Sequence, residues 1–334
     1  MSLTPPTISG TIHAGQVCGP WPLESSSRAS DSWAAQWLHA WNAFWFAPAD
    51  PLPLGLVRIA TGILLAWSSA VWLLDASAFF GTGGWLPAEN VWRMNDQPWQ
   101  WSLYFPFSSA AAVSWVTLIT LLAAVLLAIG LATPLAAAVA LVGFISAANR
   151  APLNVFGFDD VLGMLLIGLV VGPAGAACSI DSQLWRSRGG CRLSSRANLA
   201  IRLIQVHLCV IYFFSGCGKL LGASWWEGTA LWGAIANLQY RTLDLMWLAG
   251  HPLVVNGLTL ATLFWEVLYP VLIWPRLTRR LVLAMAVLVH LGIGLSMGMM
   301  EFGLVMLVAN MAFMPADTCR NLLFLPAKIP PTVP

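Results

Sequence analysis

Eight stretches of this chain are apolar over lengths that reach or approach a bilayer's thickness, which restricts the fold to helices threaded through a membrane. A hydrocarbon core about 30 Å thick takes about 20 residues of helix at 1.5 Å rise. The runs lie at 52–74, 110–131, 134–149, 160–177, 199–219, 252–274, 281–299 and 301–316. The third, fourth and last are short for a perpendicular crossing. Of 334 residues, 58% are hydrophobic and 9% charged, against about 25% charged in soluble domains, so an ordinary soluble protein is excluded. The expectation is an all-α polytopic bundle of about eight spans.

Residues 1–30 are polar and rich in Ser, Pro and Gly, without the basic start and apolar core of a signal peptide. They read as a disordered cytoplasmic tail, and 317–334 reads as a C-terminal cytoplasmic tail. The basic residues orient the rest, because short loops rich in Arg and Lys stay inside. With eight spans, Arg28, Arg186, Arg188, Arg192, Arg196, Arg276, Arg279, Arg280, Arg320 and Lys328 fall inside, against Arg93, Arg150 and Arg241 outside. The bias puts both termini in the cytoplasm and the protein in the inner membrane. A net charge of +2 gives no footprint for nucleic acid.

Nineteen tryptophans are distributed unevenly. Trp33, Trp37, Trp41, Phe44 and Trp45 recur at helical spacing within 31–48, which suits an interfacial helix or one packed along the bundle. Two outer segments, 75–109 and 220–251, carry Trp85, Trp92, Trp99, Trp101, Trp225, Trp226, Trp232 and Trp247. Tryptophan favours the headgroup layer, so these segments read as an aromatic extracytoplasmic cap. The six cysteines form no Cys-x-x-Cys pair and no Cys/His cluster at zinc spacing, so no metal is expected.

Ionisable residues at membrane depth are the best pointers to function, since each costs several kcal/mol unless paired or hydrated. Counting helical rise from the expected span ends puts Arg58, Arg202 and Glu266 on an inner tier. They are candidates for a structural ion pair or for holding a headgroup or substrate. His207 and His290 fall near the midplane. Lys219 falls on the outer tier, with Gly216, Ser215 and Tyr212 stacked on its face at i−3, i−4 and i−7. Asp159, Asp160, Asn149, Arg150 and Glu301 are its candidate partners at that level. The same count separates His290 from Lys219 by well over about 10 Å.

The run Ile211-Tyr212-Phe213-Phe214-Ser215-Gly216-Cys217-Gly218-Lys219-Leu220, followed by Trp225-Trp226-Glu227-Gly228-Thr229, resembles the core motif of the horizontally transferred transmembrane domain (HTTM) family. That family includes vitamin K-dependent gamma-carboxylases and relatives of sporulation-delaying protein B. Arg58 with Gly62, Phe79-Phe80-Gly81, Gly84-Trp85, Asp181, Glu266 with Pro270, Arg280, and His290 with Met297-Gly298 and Phe302 resemble its other landmarks, in order, across about 50–316.

The resemblance implies a membrane enzyme in which Lys219 is the base that deprotonates a reduced quinone of the vitamin K type, with His290 as a helper. In the carboxylases the oxygenated quinone anion then removes a glutamate proton before carbon dioxide adds. Tyr212, Trp225, Trp226, Glu301, Asp159 and Asp160 are the expected substrate-binding residues. The other expectation is non-enzymatic: maturation, export or immunity for a small secreted peptide docked on the aromatic cap. Membrane lipids are partners in either case.

Overall fold

The computed structural model describes residues 32–94, 100–184 and 193–324. The expected N-terminal tail, Trp99, the basic run at Arg186, Arg188 and Arg192, and Lys328 lie outside the described residues. Apart from an isolated bridge between Ala49 and Ser194, regular structure among the described residues is helical. In chain order the helices are α1 Trp33–Phe46, α2 Leu52–Leu74, α3 Ala76–Phe80, α4 Ala88–Met94, α5 Ala110–Ile129, α6 Thr133–Arg150, α7 Gly157–Val171, α8 Ile180–Leu184, α9 Ser195–Leu220, α10 Ala223–Trp226, α11 Ala230–Ile235, α12 Pro252–Leu272, α13 Arg276–Met297, α14 Met300–Asn310 and α15 Ala316–Leu322.

Six helices, α2, α5, α6, α9, α12 and α13, are long and apolar enough to cross a membrane. α7, at 15 residues, and α14, at 11, fall short of the roughly 17 residues a perpendicular crossing needs. The fourth and eighth of the expected spans, 160–177 and 301–316, thus form helices too short to cross alone.

The chain divides into two compact units, residues 1–41 and 42–334. In the first, Trp37 and Trp41 stack one helical turn apart at 5.4 Å between ring centroids. The second holds the bundle. Its helix ends follow local chemistry: Pro53 sits in the first turn of α2, the Ser109 and Ser194 hydroxyls cap α5 and α9, and Gly130 closes α5 in the left-handed conformation at φ 72°. The main core joins Leu54, Val57 and Leu65 of α2 to Leu127, Leu165, Ile204, Ala286 and Val305, drawing α5, α7, α9, α13 and α14 around one apolar interior.

Two polar devices lock this core. Arg58 is fully buried on α2 and donates to the carbonyls of Leu127 at 2.5 Å, Ala128 at 2.8 Å and Cys178 at 2.6 Å. It thereby satisfies the exposed carbonyls at the end of α5, where a positive charge also suits the helix dipole. A side chain at Gly130 would fall 2.5 Å from the same guanidinium. Asp181 caps the other side of this turn, accepting from the amides of Ala132 at 2.9 Å and Thr133 at 2.8 Å and from the Thr133 hydroxyl at 2.7 Å.

Arg150 is likewise fully buried and donates to the carbonyls of Leu86 and Gly81, fixing the aromatic segment after α2. There Phe80 stacks on Tyr104 at 4.3 Å, Trp85 meets Phe79 at 4.6 Å and Trp92 stacks on Phe105 at 4.4 Å.

Candidate functional site

α9 and α12 approach closely because Gly216 has no side chain: a Cβ there would fall 2.9 Å from the backbone nitrogen of Val267. This contact brings the last turn of α9 against the middle of α12. Lys219 Nζ lies 2.7 Å from Glu266 Oε2 and donates to Ser215 Oγ at 2.7 Å. Ser215 in turn donates to Glu266 Oε2 at 3.1 Å, closing a three-membered polar ring. The ring of Trp225 lies 5.3 Å from the Lys219 nitrogen, within cation–π range. The Lys219 side chain is 23% exposed and that of Glu266 10%, so the pair is sheltered yet open on one side.

This pairing corrects the tier assignment. Glu266 belongs with Lys219, not with Arg58 or Arg202, and those three do not form one ion pair. Glu266 lies roughly 21 Å along α12, so Lys219 sits well below the level where α12 begins. The remaining depth is filled by 220–251, whose short helices α10 and α11 and 3-10 turn Met246–Gly250 pack against α12. A depth count that sets the ends of α9 and α12 at one level fails because Lys219, at the end of α9, lies beside Glu266 and not beside the start of α12.

A second polar group lies two turns back along α9. Tyr212 is buried and its hydroxyl is 2.7 Å from His290 Nε2 on α13. The same hydroxyl accepts from Asn310 Nδ2 at 3.0 Å, and Tyr269 on α12 donates to Asn310 Oδ1 at 2.7 Å. The imidazole tautomer sets the direction of the Tyr212–His290 bond. The Nδ1 atom of His290 has no partner among the described residues although His290 is only 3% exposed. Tyr212 packs on Tyr269 at 4.0 Å and edge-on to Trp265 at 5.0 Å.

The other expected residues lie elsewhere. Asp159 caps α7 by accepting from the Phe156 amide at 3.0 Å, and Glu301 accepts from Trp67 Nε1 at 2.7 Å. Both line a cavity of about 110 Å³ with Ser68, Trp72, Phe79 and Phe158. Asp160 is exposed beside it. Neither Asp159, Asp160 nor Glu301 pairs with Lys219. Arg150 and Asn149 bind carbonyls of the aromatic segment instead. Trp226 is exposed and donates to the Leu220 carbonyl at 2.8 Å. His207 bonds only within its own helix, to the Leu203 carbonyl at 2.8 Å.

Sequence reasoning missed Asn310 and Tyr269. A lone amide inside the apolar run Val305–Phe313 and one of only four tyrosines were the available signals, since a polar side chain at that depth needs a partner.

The HTTM domain profile matches residues 46–317, which takes in every residue of both polar groups. The chain belongs to the HTTM family. HTTM is a membrane domain found in carboxylase-like and related proteins. Comparison with curated proteins and with solved structures gives no match. In this HTTM protein the Tyr-to-Trp stretch, 211–229, supplies Tyr212, Ser215, Lys219 and Trp225 to one side of α9, and the landmarks at 266 and 290 meet that side from α12 and α13.

Proposed function

We propose that this HTTM protein is a membrane enzyme in which Lys219 takes a proton from a lipid-soluble acid, a reduced quinone being the leading candidate. The observation that carries this reading is the Lys219–Glu266 contact at 2.7 Å beneath Trp225. Transfer of the Lys219 proton to Glu266 leaves a neutral amine that can take a proton from the substrate, and it replaces two charges by none in a medium where an isolated charge is costly. Ser215 holds both groups in register. The one open side gives a flat aromatic substrate access along Trp225.

The second polar group supports the same reading. The Nδ1 atom of His290 is buried without a partner among the described residues, and such a group needs an explanation; a substrate hydroxyl, which can donate or accept, supplies one. Tyr212, Asn310 and Tyr269 hold the ring in place through Nε2 and leave Nδ1 for the substrate. A carboxylase-type outcome, in which the deprotonated quinone drives modification of a peptide, is the finer form of the proposal. The arginine distribution supports an inner-membrane location with both termini in the cytoplasm.

The test is quinol-dependent turnover by purified protein in lipid nanodiscs. Lys219→Ala and Glu266→Gln that retain helical content lose turnover by about 100-fold or more, the usual scale for a general base. If Lys219→Ala turns over undiminished and a small secreted peptide co-purifies with it, the protein is a peptide partner and not an enzyme.

A further inference from the structure

The far end of the bundle, where α9 and α13 begin, carries a group of positive charges that the site above does not use. Arg202 on α9 lies over the Phe44 ring at 4.4 Å and near the Trp274 ring at 5.5 Å. Its remaining bonds go to neutral acceptors, the Phe44 carbonyl at 3.2 Å and Gln205 Oε1 at 2.8 Å. Arg279 lies beside the same tryptophan, donating to the carbonyls of Ile273 at 3.0 Å and Trp274 at 2.5 Å. The charge of Arg279 reaches Arg202, and that of Arg276 reaches Arg279. Arg276 and Arg280 are exposed on the first turns of α13. Among the described residues no carboxylate pairs with any of these four.

Elementary electrostatics makes this arrangement unfavourable as it stands. Like charges repel, and the first turn of α13 already presents the positive end of its dipole, with no side-chain cap on Pro275. A cluster of arginines there opposes the helix instead of supporting it. An anion at this point would relieve the repulsion, meet the free amides of α13 and accept from guanidiniums whose geometry matches a phosphate. The surroundings select the source of that phosphate. Leu277 and Leu281 are 90% and 69% exposed on α13, one turn apart beside Arg276 and Arg280, and form an apolar ridge for an acyl chain directly under the charges.

We infer that Arg202, Arg276, Arg279 and Arg280 with Trp274 form a binding site for the phosphate headgroup of an anionic phospholipid. The inference is independent of the enzymatic proposal, because it lies at the opposite end of α9 from Lys219.

Delipidated protein in a neutral detergent is titrated with phosphatidylglycerol or with phosphatidylcholine of the same acyl chains, and bound lipid is counted by native mass spectrometry. The wild type retains phosphatidylglycerol at least about tenfold more tightly, at roughly fivefold per contributing arginine. Arg276→Gln and Arg280→Gln, both exposed and away from the core, each lose about fivefold for phosphatidylglycerol and nothing for phosphatidylcholine. Arg202→Gln loses more, with helical content checked by circular dichroism. Inorganic phosphate at millimolar concentration does not displace the lipid. Equal retention of the two lipids, an anionic preference unchanged in the exposed variants, or displacement by phosphate alone would overturn the inference.

Discussion

Lys219 on α9 and Glu266 on α12 meet at 2.7 Å, with Ser215 bonded to both, and this ring is what joins the end of one helix to the middle of the other. Removing one partner leaves a sheltered charge without its counter-ion. Glu266→Gln is expected to lower stability in micelles by about 1–3 kcal/mol, below the roughly 3–5 kcal/mol of a fully buried pair because Lys219 is part-exposed. The double variant Lys219→Met/Glu266→Leu should recover most of that loss. A double-mutant cycle on thermal unfolding reads the coupling, and additivity of the two single changes would show that the pair contributes nothing.

The Tyr212 hydroxyl bonds both His290 and Asn310. Tyr212→Phe keeps the ring packing against Tyr269 and Trp265 but leaves an imidazole nitrogen and an amide proton unsatisfied. The expected cost is about 2–6 kcal/mol, one desolvation penalty for each orphaned group. If Tyr212→Phe unfolds at the wild-type temperature, the hydroxyl is not holding the network.

Arg58 tests the architecture away from the site. Arg58→Met strands the carbonyls of Ala128 and Cys178, while Leu127 keeps the Gly130 amide, and is expected to destabilise by about 2 kcal/mol or more. Arg58→Lys should rescue little, because a single ammonium on a shorter reach cannot serve carbonyls from both α5 and the Cys178 segment. Full rescue by lysine would mean that charge alone matters at this position.

Asp181 gives the chain an acid sensitivity with a definite sign. Burial alone would raise its carboxyl, but bonds from the Thr133 hydroxyl and the amides of Thr133 and Ala132, with the Arg58 charge, outweigh burial and hold it below the ordinary carboxylate range. A carboxylate whose folded value is depressed stabilises fully above its unfolded value, about 3.9, and that contribution is lost as pH falls through the folded value. Thermal unfolding of the wild type should therefore fall more steeply below about pH 4 than that of Asp181→Asn. Parallel curves would remove Asp181 from the account.

How much of this was legible in the sequence depends on the kind of information each residue carries. Apolar run length reveals helices directly, so α2, α5, α6, α9, α12 and α13 could be placed within a few residues. The shared face of Tyr212, Ser215, Gly216 and Lys219 was equally legible, because it follows from the 3.6-residue repeat alone. Depth was not. Glu266 was assigned to the wrong end since nothing in the local pattern says that α9 stops beside the middle of α12, with α10 and α11 filling the space above. Partners contributed by distant helices were also hidden: Asn310 and Tyr269 have no periodic signature, and only the convergence of α9, α12, α13 and α14 gives them a role. Asp159 and Glu301 looked like partners of Lys219 for the same reason, and they line a different cavity.

The central claim is that Lys219 acts as a base, and chemical rescue measures it most directly. Turnover of a reduced quinone by Lys219→Ala is recorded in nanodiscs with and without small primary alkylamines, beside Lys219→Arg as a variant that keeps the charge but does not release its proton. The account expects both variants to be inactive, amines to restore turnover in Lys219→Ala with a rate that rises with amine basicity, and no rescue in Lys219→Arg. Wild-type turnover by Lys219→Ala without amine would contradict it.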